Sequence, residues 1–326
     1  MDDGNIFARP RFLRQILDVT TATPGRGRRQ TDACATLPGV GYLVLQIIGN
    51  AAFTLSVREA RHQKLDYLLF GAVNYAVAAA VALALLLRGP VDAAPGAILF
   101  GVVNGAQYQL TFLLMYALLS MTGVAVMTSF LRLSVFIPTI ASIVIWSEFP
   151  SPVQALGLIL TALALPLLGT AASSGAPAAW RSWRPALLIV TTLLLSGAGL
   201  LAAKAFSELH LEAQRPAYLV AAYGTATVLS LLTWPLRPRL ERHAAAGIAW
   251  PAVGLGVFAG LCNIGQLAAF LRGLAVVPGI IAFPVTAAGG LLVVTLVGRI
   301  AWNERIAGRA GAGIVLALAA VALVNA

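Results

Sequence analysis

The sequence predicts an all-α membrane protein of ten transmembrane helices, arranged as two inverted five-helix repeats. Three observations carry that expectation. Hydrophobic residues make up 59% and charged residues 10% of the 326-residue chain, with a mean hydropathy of +0.86, whereas a soluble domain carries about 25% charge. Ten apolar stretches approach the roughly 20 residues that a helix needs to cross hydrocarbon. Finally, Trp146-x-Glu148 with Gly157 nine residues after the acid recurs as Trp302-x-Glu304 with Gly313 nine residues after, a register of 156 residues. Repetition on this scale decides architecture before local patterns do.

The apolar stretches run over residues 37 to 57, 66 to 87, 96 to 118, 124 to 146 and 153 to 172 in the first half. In the second they cover 186 to 207, 217 to 236, 250 to 271, 279 to 299 and 308 to 325. The expected division is a polar, disordered leader (1–36), a first repeat (37–172), a connecting loop (173–184) and a second repeat (185–326). A soluble helical protein would show polar stripes at a period of 3.6, and stretches such as 76 to 87 and 314 to 324 have none. All six tryptophans fall at segment ends, where an amphipathic ring favours the headgroup layer. Backbone groups in lipid must be paired internally, and no alternating strand pattern occurs, so the segments are read as helices. In the leader, six arginines are interleaved with acids and no continuous apolar core follows them, unlike a secretory signal peptide. It reads as a polar extension or as an overextended gene start.

Five helices per half is an odd number, so the second half enters the membrane in the opposite sense to the first. Inverted repeats of this kind mark many secondary transporters, with substrate bound near the midplane between the halves. Lysine and arginine accumulate on the cytoplasmic side. Loops after helices 1, 5, 7 and 9 hold eleven of them, counting Arg299 at the membrane edge, against Arg88, Arg215 and Arg272 on the other side. Loop charge therefore places the termini outside, although the leader arginines raise the terminal side to nine. The net charge of +10 reports this topology rather than nucleic-acid binding. Cys34 and Cys262 form neither a disulfide framework nor a metal-site spacing, and no cofactor or metal is expected.

Ionisable groups at membrane depth mark candidate sites. Arg132 lies eight residues into a helix that starts near Val124, about 12 Å from that end and roughly 21 Å from the other at a rise of about 1.5 Å per residue. It either faces a central cavity and grips a carboxylate or phosphate as a bidentate fork, or caps carbonyls and snorkels to the nearer surface. Lys204, within a turn of the end of helix 6, reads as a snorkelling side chain. All twelve acidic residues fall in the leader, in loops or at helix ends, which disfavours a proton-coupled exporter of cationic drugs.

Uncharged polar groups cluster as Asn104, Gln107, Tyr108, Gln109 and Thr111 in helix 3 and as Asn263 and Gln266 in helix 8, with Asn50 in helix 1 and Asn74 in helix 2. Asn104 and Gln107, like Asn263 and Gln266, are three apart and share a helix face. They line a cavity or join helices by hydrogen bonds of about 0.6–2 kcal/mol each. The doubled Asn-x-x-Gln has an offset of 159, so in the 156-residue register Gln107 corresponds to Asn263 and the doubling is a coincidence. Tyr116 supplies a polar tip or simple packing. Pro138 and Pro284 are expected to interrupt helices 4 and 9, freeing carbonyls and acting as kinks. Gly256 and Gly260 form a face for close packing, and Gly308, Gly311 and Gly313 do the same for helix 10. Trp146, Glu148, Trp302 and Glu304 anchor the repeats, the glutamates holding loops or capping the next helix.

With these residues the chain resembles the drug/metabolite transporter superfamily, and within it the ten-helix proteins built from two EamA-type repeats. The resemblance covers roughly residues 37 to 325. It is strongest over residues 130 to 157, with Leu131, Arg132, Leu133, Ser134, Val135 and Phe136 ahead of Trp146 and Glu148, and over the matching 291 to 313. The family ends helices 4 and 9 with a Gly-Glu or similar pair, where this chain has Ser147-Glu148 and Asn303-Glu304. It also places a proline about fourteen residues before that glutamate, where this chain has Ser134 and Gly290. The resemblance implies export or exchange of small metabolites by alternating access, and cytoplasmic termini, which oppose the loop-charge reading.

The expected function is secondary transport of a small polar solute, an amino acid, organic anion or related compound. Arg132 binds the negative group, and Asn104, Gln107, Tyr108, Asn263 and Gln266 select orientation, with Asn50 and Asn74 of the same kind. The expected partners are the lipid bilayer and the solute, with a proton or counter-solute for coupling and a homodimer as candidate assembly; nucleic acid is not one. The expected location is the bacterial inner (plasma) membrane. The rival is a lipid-handling or scaffold protein that moves no soluble solute. An enzyme is disfavoured, since the chain has no HExxH, no G-x-S-x-G and no buried carboxylate pair.

Overall fold

The computed structural model describes residues 37–89, 94–122, 133–170, 183–209, 211–233, 250–301 and 308–324. The leader, Arg132, Trp302 and Glu304 lie outside these. The described residues form ten α-helices: α1 (Leu37–His62), α2 (Tyr67–Leu87), α3 (Pro95–Thr122), α4 (Phe136–Trp146), α5 (Pro152–Thr170), α6 (Trp183–Glu208), α7 (Arg215–Thr233), α8 (Trp250–Leu274), α9 (Gly279–Ala301) and α10 (Gly308–Val324). They follow the ten apolar stretches. Seven of them, α1 to α3 and α6 to α9, are long and apolar enough to cross a membrane, while α4, α5 and α10 carry shorter apolar runs. Apolar side chains face outward along them, among them Val144, Ile300 and Val315, each at least 66% exposed. Exposed apolar surface on this scale marks contact with a membrane or partner, and the architecture is that of a multi-pass membrane protein.

Local chemistry sets the turns. After α1, Lys64 takes a left-handed conformation (φ 54); its N–H donates to the Arg61 carbonyl and the Leu65 N–H to the Ala60 carbonyl. That pattern is a Schellman motif with lysine where glycine is usual. Asp66 then caps α2, its carboxylate accepting from the Leu69 N–H at 2.8 Å. Removing the cap with Asp66→Ala is expected to cost about 1 kcal/mol, read as a lower Tm in detergent; an unchanged Tm would discount the cap. Ser151 and Gln154 form a reciprocal capping box at α5, each side chain accepting from the other's N–H, which satisfies two orphan donors of the first turn.

Packing closes a ring of eight helices in the order α1, α8, α2, α7, α3, α6, α4, α9 and back to α1, with α5 and α10 paired outside it against α9. Ala35–Ala326 form one compact unit. Glycines set the closest approaches. Gly49 rests on Gln266 and Gly273 on Leu43, so α1 and α8 run antiparallel; Gly256 rests on Val73 and Gly260 on Asn74, so α8 and α2 run parallel. Gly101 against Tyr218 and Gly105 against Ala222 make α3 and α7 parallel, and Gly157 against Val324 makes α5 and α10 antiparallel.

Several expectations need correcting. Among the described residues Gly308 and Gly311 have no close neighbour to pack against. Pro138 sits in the first turn of α4, and the irregular turn lies upstream at Ser134 and Val135. Proline cannot donate to the carbonyl four residues back; the Ser134 carbonyl instead accepts from the Ile137 N–H at 3.2 Å. Pro284 lies inside an unbroken α9, where only the donor to the Ile280 carbonyl is missing.

Candidate functional site

The amides expected in helices 2, 3 and 8 meet across the ring in one polar seam. On one side, Gln266 Nε2 donates to Asn263 Oδ1 at 3.2 Å and Asn263 Nδ2 to Asn74 Oδ1 at 3.3 Å. Tyr223 on α7 donates its hydroxyl to the Asn263 carbonyl at 2.9 Å. On the other side, Asn104 Nδ2 donates to the hydroxyls of Tyr218 and Tyr108, and Gln107 Nε2 donates to Thr111 Oγ1 at 2.8 Å. The rings of Tyr108 and Tyr223, with centroids 6.0 Å apart, join the two sides. In an apolar helix a tyrosine hydroxyl must find a partner; Tyr75, Tyr218 and Tyr223, which the sequence did not single out, do so here.

The seam carries spare hydrogen-bonding capacity. Asn104 Oδ1 and Gln107 Oε1 are buried without a partner, as are Asn50 Oδ1 and Gln46 Oε1 on α1. The first two oxygens converge on Gly199 of α6, where a side chain would collide with Gln107. Buried polar groups left unpaired are costly, so such atoms are suited to meet water or a solute. Tyr116, by contrast, stacks on Tyr67 at 5.4 Å.

Contacts across the ring are reciprocal. Tyr75 on α2 donates to the Tyr108 carbonyl on α3 as Tyr223 on α7 donates to the Asn263 carbonyl on α8. Gly101 and Gly105 meet α7 at the points where Gly256 and Gly260 meet α2. By these carbonyl contacts Tyr108 and Asn263 occupy similar places on α3 and α8.

A second polar cluster lies where α4 and α6 end and α9 begins. Glu148 Oε1 accepts from Lys204 Nζ at 2.5 Å, and Glu148 Oε2 accepts from the Ile280 backbone N–H at 3.1 Å. Lys204 also donates to Glu208 at 2.5 Å, and its ammonium lies 5.7 Å from the centre of the Trp146 ring. The side chain of Lys204 is 1% exposed. This corrects two expectations: Lys204 does not snorkel, and Glu148 caps α9 rather than the helix that follows it in sequence. The N-terminal N–H groups of a helix favour a carboxylate, and Ser147, left-handed at φ 55, turns the chain so that Glu148 reaches them.

An apolar groove of about 500 Å³ opens on the surface between α2, α3 and α7, lined by Ile98, Val102, Val220 and Val228 among others. Among the described residues no cluster of side chains could hold a metal ion.

No family model matches the chain, and neither does any curated protein. Solved structures do match the fold. One, a crystal structure of a protein, aligns with a TM-score of 0.67 at 18% identity over 89% of this chain and 95% of that chain. At that identity the likeness concerns the fold alone.

Proposed function

We propose that the protein is a secondary transporter of the ten-span, inverted-repeat kind found in the drug/metabolite transporter superfamily, moving a small polar solute by alternating access. The observation that carries this reading is the ring: eight helices close around an axis, each with helices of the other half as its two ring neighbours, and a seam of buried amides and tyrosines crosses it. The reciprocal contacts support two repeats of opposite sense, and so does the antiparallel pairing of α5 with α10. On the full topology α4, α5 and α10 also span, giving ten crossings in a bacterial inner membrane.

Among the described residues Lys204 is the one buried basic side chain, and two glutamates already neutralise it. Arg132 therefore remains the group to bind an anionic or zwitterionic solute, with the seam selecting its orientation. Because neighbours in the ring belong to opposite halves, access would change by relative tilting of helices around the ring rather than by one half rocking as a block. The groove between α2, α3 and α7 opens toward lipid and favours one rival, a lipid-handling protein.

Uptake into proteoliposomes across a panel of amino acids, organic acids and amines tests the reading. Accumulation of an anion that falls about tenfold or more in Arg132→Ala is expected, the loss of one charged hydrogen bond amounting to roughly 1.5–3 kcal/mol. Full transport by the variant removes Arg132 from the site. No transport of any solute favours the lipid-handling rival.

A further inference from the structure

We propose that Lys204, Glu148 and Glu208 form a releasable latch between the two halves, holding one face of the ring shut and parting when that face opens. The proposal rests on the transport reading. Glu148 follows α4 in the first half; Lys204 and Glu208 lie one turn apart on α6, and α9 begins beside them, all in the second. Through its two carboxylate oxygens Glu148 ties α4 to both of its neighbours in the ring. On the ten-span topology the ends of α4 and α6 and the start of α9 share the face at which α1 begins.

A buried ion pair is a poor way to add stability, since apolar residues of similar volume do as well or better. Elsewhere in the ring glycines bring helices together without charge, as Gly105 does against Ala222 and Gly260 against Asn74. A charged seam differs in what happens when it opens: ammonium and carboxylate regain water, whereas an apolar seam would expose its surface at a cost. Glu208 supplies the second element of a latch. It holds Lys204 from the same helix at 2.5 Å, so Lys204 can leave Glu148 without becoming a lone buried charge. Both carboxylates already reach the surface, at 17% and 31% exposure, while Lys204 does not. Behind the pair the hydroxyl of Ser142 is fully buried and unpartnered, pressed against Gly279 at the start of α9.

Ser142→Cys, in a chain with Cys34 and Cys262 replaced by alanine, reports opening through its labelling by a membrane-impermeant methanethiosulfonate. The full-length protein is labelled in right-side-out and in inverted vesicles. Glu148→Gln is expected to speed labelling from the latch face about tenfold, as a shift in the open population would, and to leave the other face unchanged. Glu208→Gln acts in the opposite direction, slowing labelling about threefold, because Lys204 then has only Glu148 to hold. A merely structural role would make both variants faster. Equal acceleration by both, or no change with Glu148→Gln, overturns the latch. Should Glu148→Gln fail to reach the membrane, Glu208→Gln decides alone: slower labelling supports the latch, and faster or unchanged labelling overturns it. Opposite shifts in a protein that moves no solute of the panel sink the transport reading and leave the latch standing.

Discussion

Gly105→Ala lowers stability by about 1–3 kcal/mol, the usual cost of forcing a methyl group into a packed seam. The new Cβ would lie far inside contact distance of the Ala222 carbonyl oxygen and 2.9 Å from Thr225 Cβ. Backbone on one side and a β-branched side chain on the other leave no rotamer by which to escape, so α3 and α7 must separate. A Cβ added at Gly101, one turn earlier in the same seam, would lie 2.6 Å from the Tyr218 carbonyl oxygen, and separation there pulls Tyr218 away from Asn104. The measurement is thermal unfolding in detergent, with Gly224→Ala as control, since a Cβ at Gly224 meets nothing within 4 Å. Equal Tm shifts in the two variants would show that the close approach does not set the seam.

Asn263→Leu is expected to reduce solute uptake about tenfold, equivalent to roughly 1.4 kcal/mol of binding free energy. Its side chain is the branch point of the seam, donating to Asn74 and accepting from Gln266 and Tyr223. Leucine strands two buried amides, which costs stability by about 1–3 kcal/mol as well. Tyr223→Phe separates the two effects, because it deletes one hydroxyl and leaves both amides paired. Uptake in Tyr223→Phe should fall about threefold or less, in line with the roughly 0.6 kcal/mol typical of a hydrogen bond between membrane helices. If Asn263→Leu transports normally once protein amount is matched, the seam is packing and not a path.

The helices were legible because apolar length is a one-dimensional signal: each of the ten stretches contains a described helix, although in the fourth α4 covers only Phe136–Trp146. Amides in greasy helices were legible for the same reason, and Asn74, Asn104, Asn263 and Gln266 are all buried or nearly so and all bonded to other side chains. Lys204 was not legible. Sequence gives its distance to the end of α6, but its partner Glu148 lies 56 residues away, a pairing that only the approach of α4 to α6 reveals. Tyr75, Tyr218 and Tyr223 escaped notice for the same reason, since the partner of each hydroxyl lies on a neighbouring helix. Gly311 misled in the other sense, because a small residue permits close approach without requiring it.

The alternation of halves around the ring has a consequence for biosynthesis. When the first five helices have been made, nearly every helix they will pack against is still unsynthesised. The long ones, α1 to α3, are then expected to rest in the bilayer as separate apolar rods, held by their own backbone hydrogen bonds and their fit to the lipid. Assembly begins only as α6 to α10 arrive and slot between the waiting helices. A chain divided in the loop between α5 and α6 should therefore yield two fragments that are formless apart and close the ring when made in the same cell.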